Sequence, residues 1–302
     1  MNGIAGFWQK YKPAIMLLAI ISVLAVWSYY TGGDNQSGTP EITPLRAVML
    51  LVVGFIAGVL GGLIGTGGCS IMLPAIHFWM GYSAPIAIGT TIFAVIFTAI
   101  SGGYGHLVRK NLDRRAVKWI GGAGILGVIL GSWLFIFLVD HIELLELILG
   151  LAFLLPAIRM IWEGFGNAKP RQEGDVIPGK KSGLAVFGFL IGILTGIVGL
   201  GGGYALVPGL IYLFGAPVYI TMGSSLAVMI PLAAVAGSIK LYEGYVALTT
   251  ALILGAGTIV GAQLGAAVIK RFKPNTLKLI FGIYFLYVSA KFISAYFGVA
   301  IW

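Results

Sequence analysis

Hydrophobic residues arrive in long unbroken runs, at about 14–30, 44–64, 69–80, 84–107, 116–139, 142–162, 182–199, 204–214, 217–239, 247–269 and 276–297. None shows the strict alternation of a half-buried strand. A hydrocarbon core of ~30 Å takes about 20 residues at 1.5 Å each, so most of these runs predict membrane-crossing helices. An outer-membrane barrel needs short alternating strands and a polar lumen, and these runs are too long and continuous for that. Two runs, 69–80 and 204–214, are too short to cross. They read either as half-helices of broken hairpins or as short tilted helices packed through glycine.

Both short runs follow a glycine cluster, GTGGCS at 65–70 and GLGGGY at 199–204. The clusters belong to an internal repeat with a constant offset of 134 residues. Between 54–103 and 188–237, 15 of 50 aligned pairs are identical, nine of them glycine and one the pair Pro74 and Pro208. Apolar segments broken by glycine at matching places in two halves point to a transporter's binding site. Non-helical backbone at membrane depth survives only where protein or a water-filled cavity covers it.

Loop charge adds an orientation. Arg109, Lys110, Arg114, Arg115 and Lys118 crowd 109–118, while the equivalent 243–252 has no lysine or arginine. The next connection reverses the bias: Asp140, His141 and Glu143 in the first half face Lys270, Arg271, Lys273 and Lys278 in the second. With basic loops cytoplasmic, equivalent loops lie on opposite sides and the repeats are inverted. The expected organisation is an extra N-terminal transmembrane helix and outer loop (1–43), a first repeat (44–162), a cytoplasmic linker (163–181) and a second repeat (182–302). The N-terminus falls in the cytoplasm and the C-terminus outside. The first run ends in Trp27, Tyr29 and Tyr30 without a small-residue cleavage site, and reads as a retained span.

Composition agrees. Hydrophobic residues make up 59% of the 302 and charged residues only 10%, against about 25% in a soluble domain. The net charge of +9 belongs to positive-inside topology; no basic stripe interleaved with aromatics suggests nucleic acid. Cys69 is the single cysteine, so no intrachain disulfide can form. No nucleophile–base pair or metal set presents itself, and neither enzyme activity nor a cofactor is expected.

The candidate chemistry is donor-rich and acid-poor. Glycine uncovers backbone N–H groups and permits unusual φ and ψ. A half-helix starting at a cluster would aim its positive end and free amides inward, a geometry that binds anions. The candidates are Gly65, Thr66, Gly67, Gly68, Cys69 and Ser70, with Gly199, Gly201, Gly202, Gly203 and Tyr204. Paired hydroxyls recur at Thr90 and Thr91 and at Ser224 and Ser225; back-bonding to their own helix is the competing reading. Gly54, Gly58 and Gly62, like Gly188, Gly192 and Gly196, have the spacing of close helix packing. Gln263 reads as an interhelical donor. His77 lies in a short run. His106 and Lys240 are repeat mates near span ends, expected at the interface, and Lys291 is expected near the outer surface, where it could snorkel. No Asp or Glu falls near the middle of a span, which favours an anionic over a cationic substrate.

A G-x-G-G-G cluster, a proline about six residues on and then G-[ST]-S, occurring twice, resembles the TauE/SafE family of sulfite and organosulfur anion exporters. The resemblance runs from about 44 to 297, closest in GLGGGYALVPGL and GSSLAV at 223–228. The first copy departs from the pattern at Cys69, which replaces the third glycine. The resemblance implies an inner-membrane permease for small anions such as sulfite, sulfonate or sulfoacetate. The expected partners are that anion and the lipid bilayer, with a homodimer left open. A channel using the same donors, and a non-transporting scaffold or assembly factor, remain alternatives.

Overall fold

A computed structural model describes residues 3–165, 174–268 and 274–299. The secondary-structure elements of the described residues are all helices, joined by turns and loops: α1 (Gly3–Tyr30), α2 (Pro44–Ile64), α3 (Cys69–Pro74) running into a π-helical turn (Ala75–Trp79), α4 (Ala84–Val108), α5 (Arg114–Val139), α6 (Ile142–Phe165), α7 (Lys181–Val198), α8 (Gly203–Leu213), α9 (Val218–Tyr242), α10 (Leu248–Val268) and α11 (Pro274–Tyr296). Eight of these contain segments long and apolar enough to cross a membrane, in α1, α2, α4 to α7, α9 and α10. The protein is a multi-pass membrane protein. Linker residues 166–173 and the basic positions Lys270, Arg271 and Lys273 lie outside the described residues.

The two predicted short helices form, and glycine makes the break in both halves by one device. α2 stops at Gly65 (φ 83°) and α7 at Gly199 (φ 66°), each in the left-handed conformation that ends a helix cheaply only at glycine. The Gly65 N–H closes onto the Gly61 carbonyl at 2.8 Å and the Gly199 N–H onto the Thr195 carbonyl at 2.9 Å. Gly67, Gly68, Gly201 and Gly202 also have positive φ, from 67° to 79°. The chain then re-enters helix at Cys69 and Gly203. Position 69 therefore departs from the glycine pattern where the backbone is already helical.

Most of the packing crosses between the halves. α2 lies along α10, and α7 along α5. Gly58 meets the Thr258 backbone and Gly62 that of Ala262; a Cβ on Gly58 would stand 2.6 Å from the Thr258 Cα. Gly188 and Gly192 meet Ile120 and Gly124 of α5 in the same way. Small residues let backbones approach where lipid offers no hydrophobic drive to hold helices together. α4 and α9 pack on each other at the centre, α6 pairs with α11, and α1 lies outside against α10 through Ile21, Leu252 and Ile259.

His106 and Lys240, expected at the membrane interface, are fully buried within the protein, at 0% and 1% exposure. His106 Nε2 donates to the Gly62 carbonyl at 3.1 Å and Lys240 Nζ to the Gly196 carbonyl at 2.5 Å. These carbonyls sit in the last turns of α2 and α7, where the break removes their helical partners. A basic side chain at a helix C-terminus satisfies such a carbonyl and suits the negative end of the dipole. Their place near span ends was legible; the broken helix ends beside them were not.

Candidate functional site

The two glycine clusters meet. The Cys69 Sγ contacts the Leu200 carbonyl, and the Gly203 Cα lies so close to Thr66 that a Cβ there would stand 2.6 Å from the Thr66 Cα and O. Thr66 and Leu200 are repeat mates, as are Cys69 and Gly203, so these are one contact made twice. Met229 and its mate Val95 pack against Gly67 and Gly201 from α9 and α4. Thr66 and Cys69 are buried, as are Ser70, Leu200 and Tyr204.

Neither α3 nor α8 has a side-chain cap, because the residue before each is glycine, Gly68 and Gly202. Two hydroxyls stand one residue inside the helix starts. Ser70 Oγ and Tyr204 Oη, repeat mates at 1% and 4% exposure, are buried and have no hydrogen-bond partner. A buried hydroxyl without a partner costs roughly 1–3 kcal/mol. The two hydroxyls stand at equivalent positions of the two repeats, each with its donor unused.

The hydroxyls of α4 and α9 are engaged elsewhere. Thr90 Oγ1 accepts from the Ala247 N–H at 3.0 Å, and Ser224 Oγ accepts from the Asp113 N–H at 2.9 Å. Asp113 and Ala247 are themselves mates. The preceding glycines make room for the same loops: a Cβ on Gly89 would collide with the Tyr245 carbonyl, and one on Gly223 with that of Asn111. The doubled G-[ST]-[ST] motif thus seats the connection that opens α10 or α5 of the other half. Thr91 Oγ1 back-bonds to the Ala87 carbonyl at 2.7 Å, whereas Ser225 Oγ donates to the Gly65 carbonyl at 2.7 Å and ties α9 to the first cluster.

Gln263 bonds between helices as expected, Nε2 to the Ser101 carbonyl at 2.7 Å. His77 falls in the π-helical turn, with Nδ1 at 2.8 Å from the Tyr82 carbonyl and Nε2 at 3.7 Å from Glu146. Lys291 is half-buried over the Phe78 ring at 4.8 Å.

One residue beside the site was missed by sequence reasoning. Arg159 of α6 lies over the Tyr212 ring at 3.8 Å. It lines a cavity of about 120 Å³ together with Thr66 and Tyr204. The signal was present: an arginine inside the apolar run 142–162 is a functional-site candidate by default.

Comparison with known proteins agrees with this architecture. The family model described as Sulfite exporter TauE/SafE matches residues 50–292. The chain is 27% identical to the probable membrane transporter protein YunE of Bacillus subtilis, over 82% of this chain and 97% of that one. It is 28% identical to a probable membrane transporter protein of Methanocaldococcus jannaschii, over 77% and 90%. It is 22% identical to the probable membrane transporter protein MamO of Paramagnetospirillum magneticum, over 88% of this chain and 47% of that one. No solved structure matches the chain. With the family model covering most of its length, the chain belongs to the sulfite exporter TauE/SafE family of membrane transporters.

Proposed function

We propose that the protein is a secondary transporter, not an enzyme, that exports a small sulfur-containing anion such as sulfite, a sulfonate or sulfoacetate across a bacterial inner membrane. The observation that carries this reading is the meeting of the two glycine clusters, each followed by a buried hydroxyl without a partner, Ser70 and Tyr204. The anion is held by amides at the starts of α3 and α8, with Thr66, Ser70 and Tyr204 donating. Thr90, Thr91, Ser224 and Ser225 act one step back, holding the hairpins and loops in place.

The two repeats, 44–162 and 182–302, are read as inverted, with the N-terminus cytoplasmic and the C-terminus outside. The cross-repeat hydrogen bonds support this. Thr90 lies near the start of α4 and bonds the start of α10; Ser224 lies near the start of α9 and bonds the start of α5. Because α5 starts where α4 ends, α5 and α10 then begin on opposite faces. Reporter fusions placing 31–43 and 109–113 on the same side would overturn this topology. Rocking of one half against the other alternates access. An inside-negative potential favours outward movement of an anion by ~2.3 kcal/mol per charge per 100 mV.

The test is counterflow in proteoliposomes. Sulfite loaded inside should accelerate labelled sulfite entry, with saturation. Saturable counterflow supports a carrier; currents without counterflow mean a channel, and no flux of any sulfur anion means a scaffold.

A further inference from the structure

A cluster of ionisable side chains stands at the far end of the first hairpin, apart from the glycine clusters. His77 lies in the π-helical turn, about two turns beyond Cys69. Its Nε2 is 3.7 Å from Glu146 Oε1 of α6, with only 15% and 16% of the two side chains exposed. Its ring lies parallel to that of Phe292 of α11, with centroids 5.5 Å apart. Turns of π-helix are rare and recur at functional sites.

The other ring nitrogen fixes what this pair can do. His77 Nδ1 is 2.8 Å from the Tyr82 carbonyl oxygen. A carbonyl only accepts, so Nδ1 carries a hydrogen whether the ring is neutral or charged. In the neutral ring Nε2 is then a bare acceptor. It faces a carboxylate that, when ionised, also only accepts. Two acceptors at this separation repel. One added proton, on Nε2 or on the carboxylate, turns the repulsion into attraction. The pair is thus a place for a single proton, shared between the hairpin arm and α6.

The surrounding charges keep both states within reach. Glu143, one turn before Glu146 on α6, adds negative charge that favours the proton. Lys291 of α11 opposes it, with its nitrogen 4.8 Å from the ring of Phe78, next to His77, and 5.7 Å from that of Tyr287. Tyr82, before α4, turns its hydroxyl to Thr250 and offers His77 its carbonyl. The second repeat lacks the pair: the mates of His77 and Glu146 are Ile211 and Ile280. The two hairpins are alike at their glycine breaks and differ here. Paired histidine and carboxylate groups within membrane segments are the material of proton relays.

We propose that His77 and Glu146 bind a coupling proton, and that proton entry drives anion export. The proposal rests on the transport reading and adds its coupling ion. In the proposed topology α6 begins at the outer face, so the pair takes its proton from outside and releases it to the cytoplasm as the halves rock. With the proton bound, His77 and Glu146 attract and hold the first hairpin arm against α6; without it they repel and free the arm. The same arm begins at Cys69, in contact with Leu200 of the second cluster. Proton and anion therefore bias one moving element. An anion leaving and a proton entering both move down an inside-negative potential.

Two measurements test this. Isotope labelling of histidine nitrogens in the full-length protein in nanodiscs, read by NMR, gives signals from three residues, His77, His106 and His141, and His77→Gln assigns the first. At high pH His77 should carry hydrogen on Nδ1 and none on Nε2, gaining the second as pH falls. Glu146→Gln should weaken that proton binding about tenfold or more, because the facing charge is gone. Hydrogen on Nε2 at every pH, or a titration unmoved by Glu146→Gln, overturns the site.

Proteoliposomes loaded with a pH dye and methanesulfonate, an anion that carries no proton of its own near neutral pH, test the coupling. With the potential clamped by potassium and valinomycin, anion efflux should acidify the lumen. Glu146→Gln should cut the protons entering per anion roughly tenfold or more. Efflux without acidification in the wild type overturns the coupling. No efflux of methanesulfonate or sulfite sinks the transport reading and the coupling with it, while the histidine spectra still decide the proton site. Unliganded melting temperatures within a few degrees of wild type establish that the variants fold; the wild-type tautomer and acidification stand without them.

Discussion

Lys240 Nζ donates to the Gly196 carbonyl oxygen at 2.5 Å, the relationship that His106 has to Gly62 at 3.1 Å, 134 residues earlier. The Phe135 ring lies 4.0 Å from the same Lys240 nitrogen. If Lys240 acts as the cap of a broken helix, Lys240→Met strands a buried carbonyl and costs roughly 1–3 kcal/mol. Lys240→His, which copies the mate, should recover part of that. Unfolding in detergent with guanidinium chloride measures both; equal losses for the two variants would remove the capping account.

Thr90 and Ser224 make one prediction between them. Each hydroxyl accepts a loop N–H, so Thr90→Val and Ser224→Ala each leave a buried amide unpaired, at about 1–3 kcal/mol. Amide hydrogen exchange should rise at Ala247 in the first variant and at Asp113 in the second. Unchanged protection at both amides would contradict the geometry.

Tyr204→Phe separates stability from binding. Its hydroxyl has no partner, so its removal should leave the unliganded protein as stable as wild type or more stable, by up to ~1–3 kcal/mol. The stabilisation conferred by sulfite or a sulfonate should fall sharply. A destabilised apo protein with a full ligand response would place the hydroxyl in the fold rather than the site.

Gly58 and Gly122 should respond in opposite directions to alanine. A Cβ at Gly58 runs into the Thr258 backbone, whereas a Cβ at Gly122 meets nothing within 4 Å. Gly122→Ala, inside α5, should stabilise by about 0.5–1 kcal/mol. Gly58→Ala should lower the amount of folded protein recovered, read by size-exclusion chromatography. Comparable yields from both would argue against the close α2–α10 approach.

Asp34 adds a pH dependence outside the membrane segments. Its carboxylate caps α10, with Oδ1 accepting from the Thr249 N–H at 2.7 Å and Oδ2 from the Thr250 N–H at 3.0 Å. Burial raises its pKa above the ordinary aspartate value, the hydrogen bonds opposing that only in part. The folded state then holds the proton more tightly than the unfolded one. The resulting stability is complete below the ordinary aspartate range and is lost as pH rises through the raised folded value. Asp34→Asn should flatten that decline in a melting-temperature series upward from pH 4. An identical slope in the variant would refute it.

The glycine-broken short helices were readable because lipid leaves so few solutions for a polar backbone, and glycine is the residue that can end a helix with positive φ. Gly65 and Gly199 therefore announced themselves. Arg159 was visible as an arginine inside the apolar run 142–162, but that it lines one cavity with Thr66 and Tyr204 from two other segments was not. Thr90 and Ser224 could not be told from ligand donors, since the amides they accept belong to the opposite half. Asp113 caps its own helix α5, but its mate is Ala247, which has no side-chain oxygen to offer. Asp34, from the loop after the added first helix, caps α10 instead. Nothing local to Ala247 reveals that.

By itself, the sequence determined that the chain is a helical membrane protein, doubled, with a break in each half, because hydropathy and glycine act over a few residues. Tertiary structure alone decided which hydroxyls hold the fold and which stand unpartnered, that the two breaks touch, and that a basic side chain closes each one. Those are contacts across a hundred residues or more, and a donor's role is set by the acceptor that arrives from the other half.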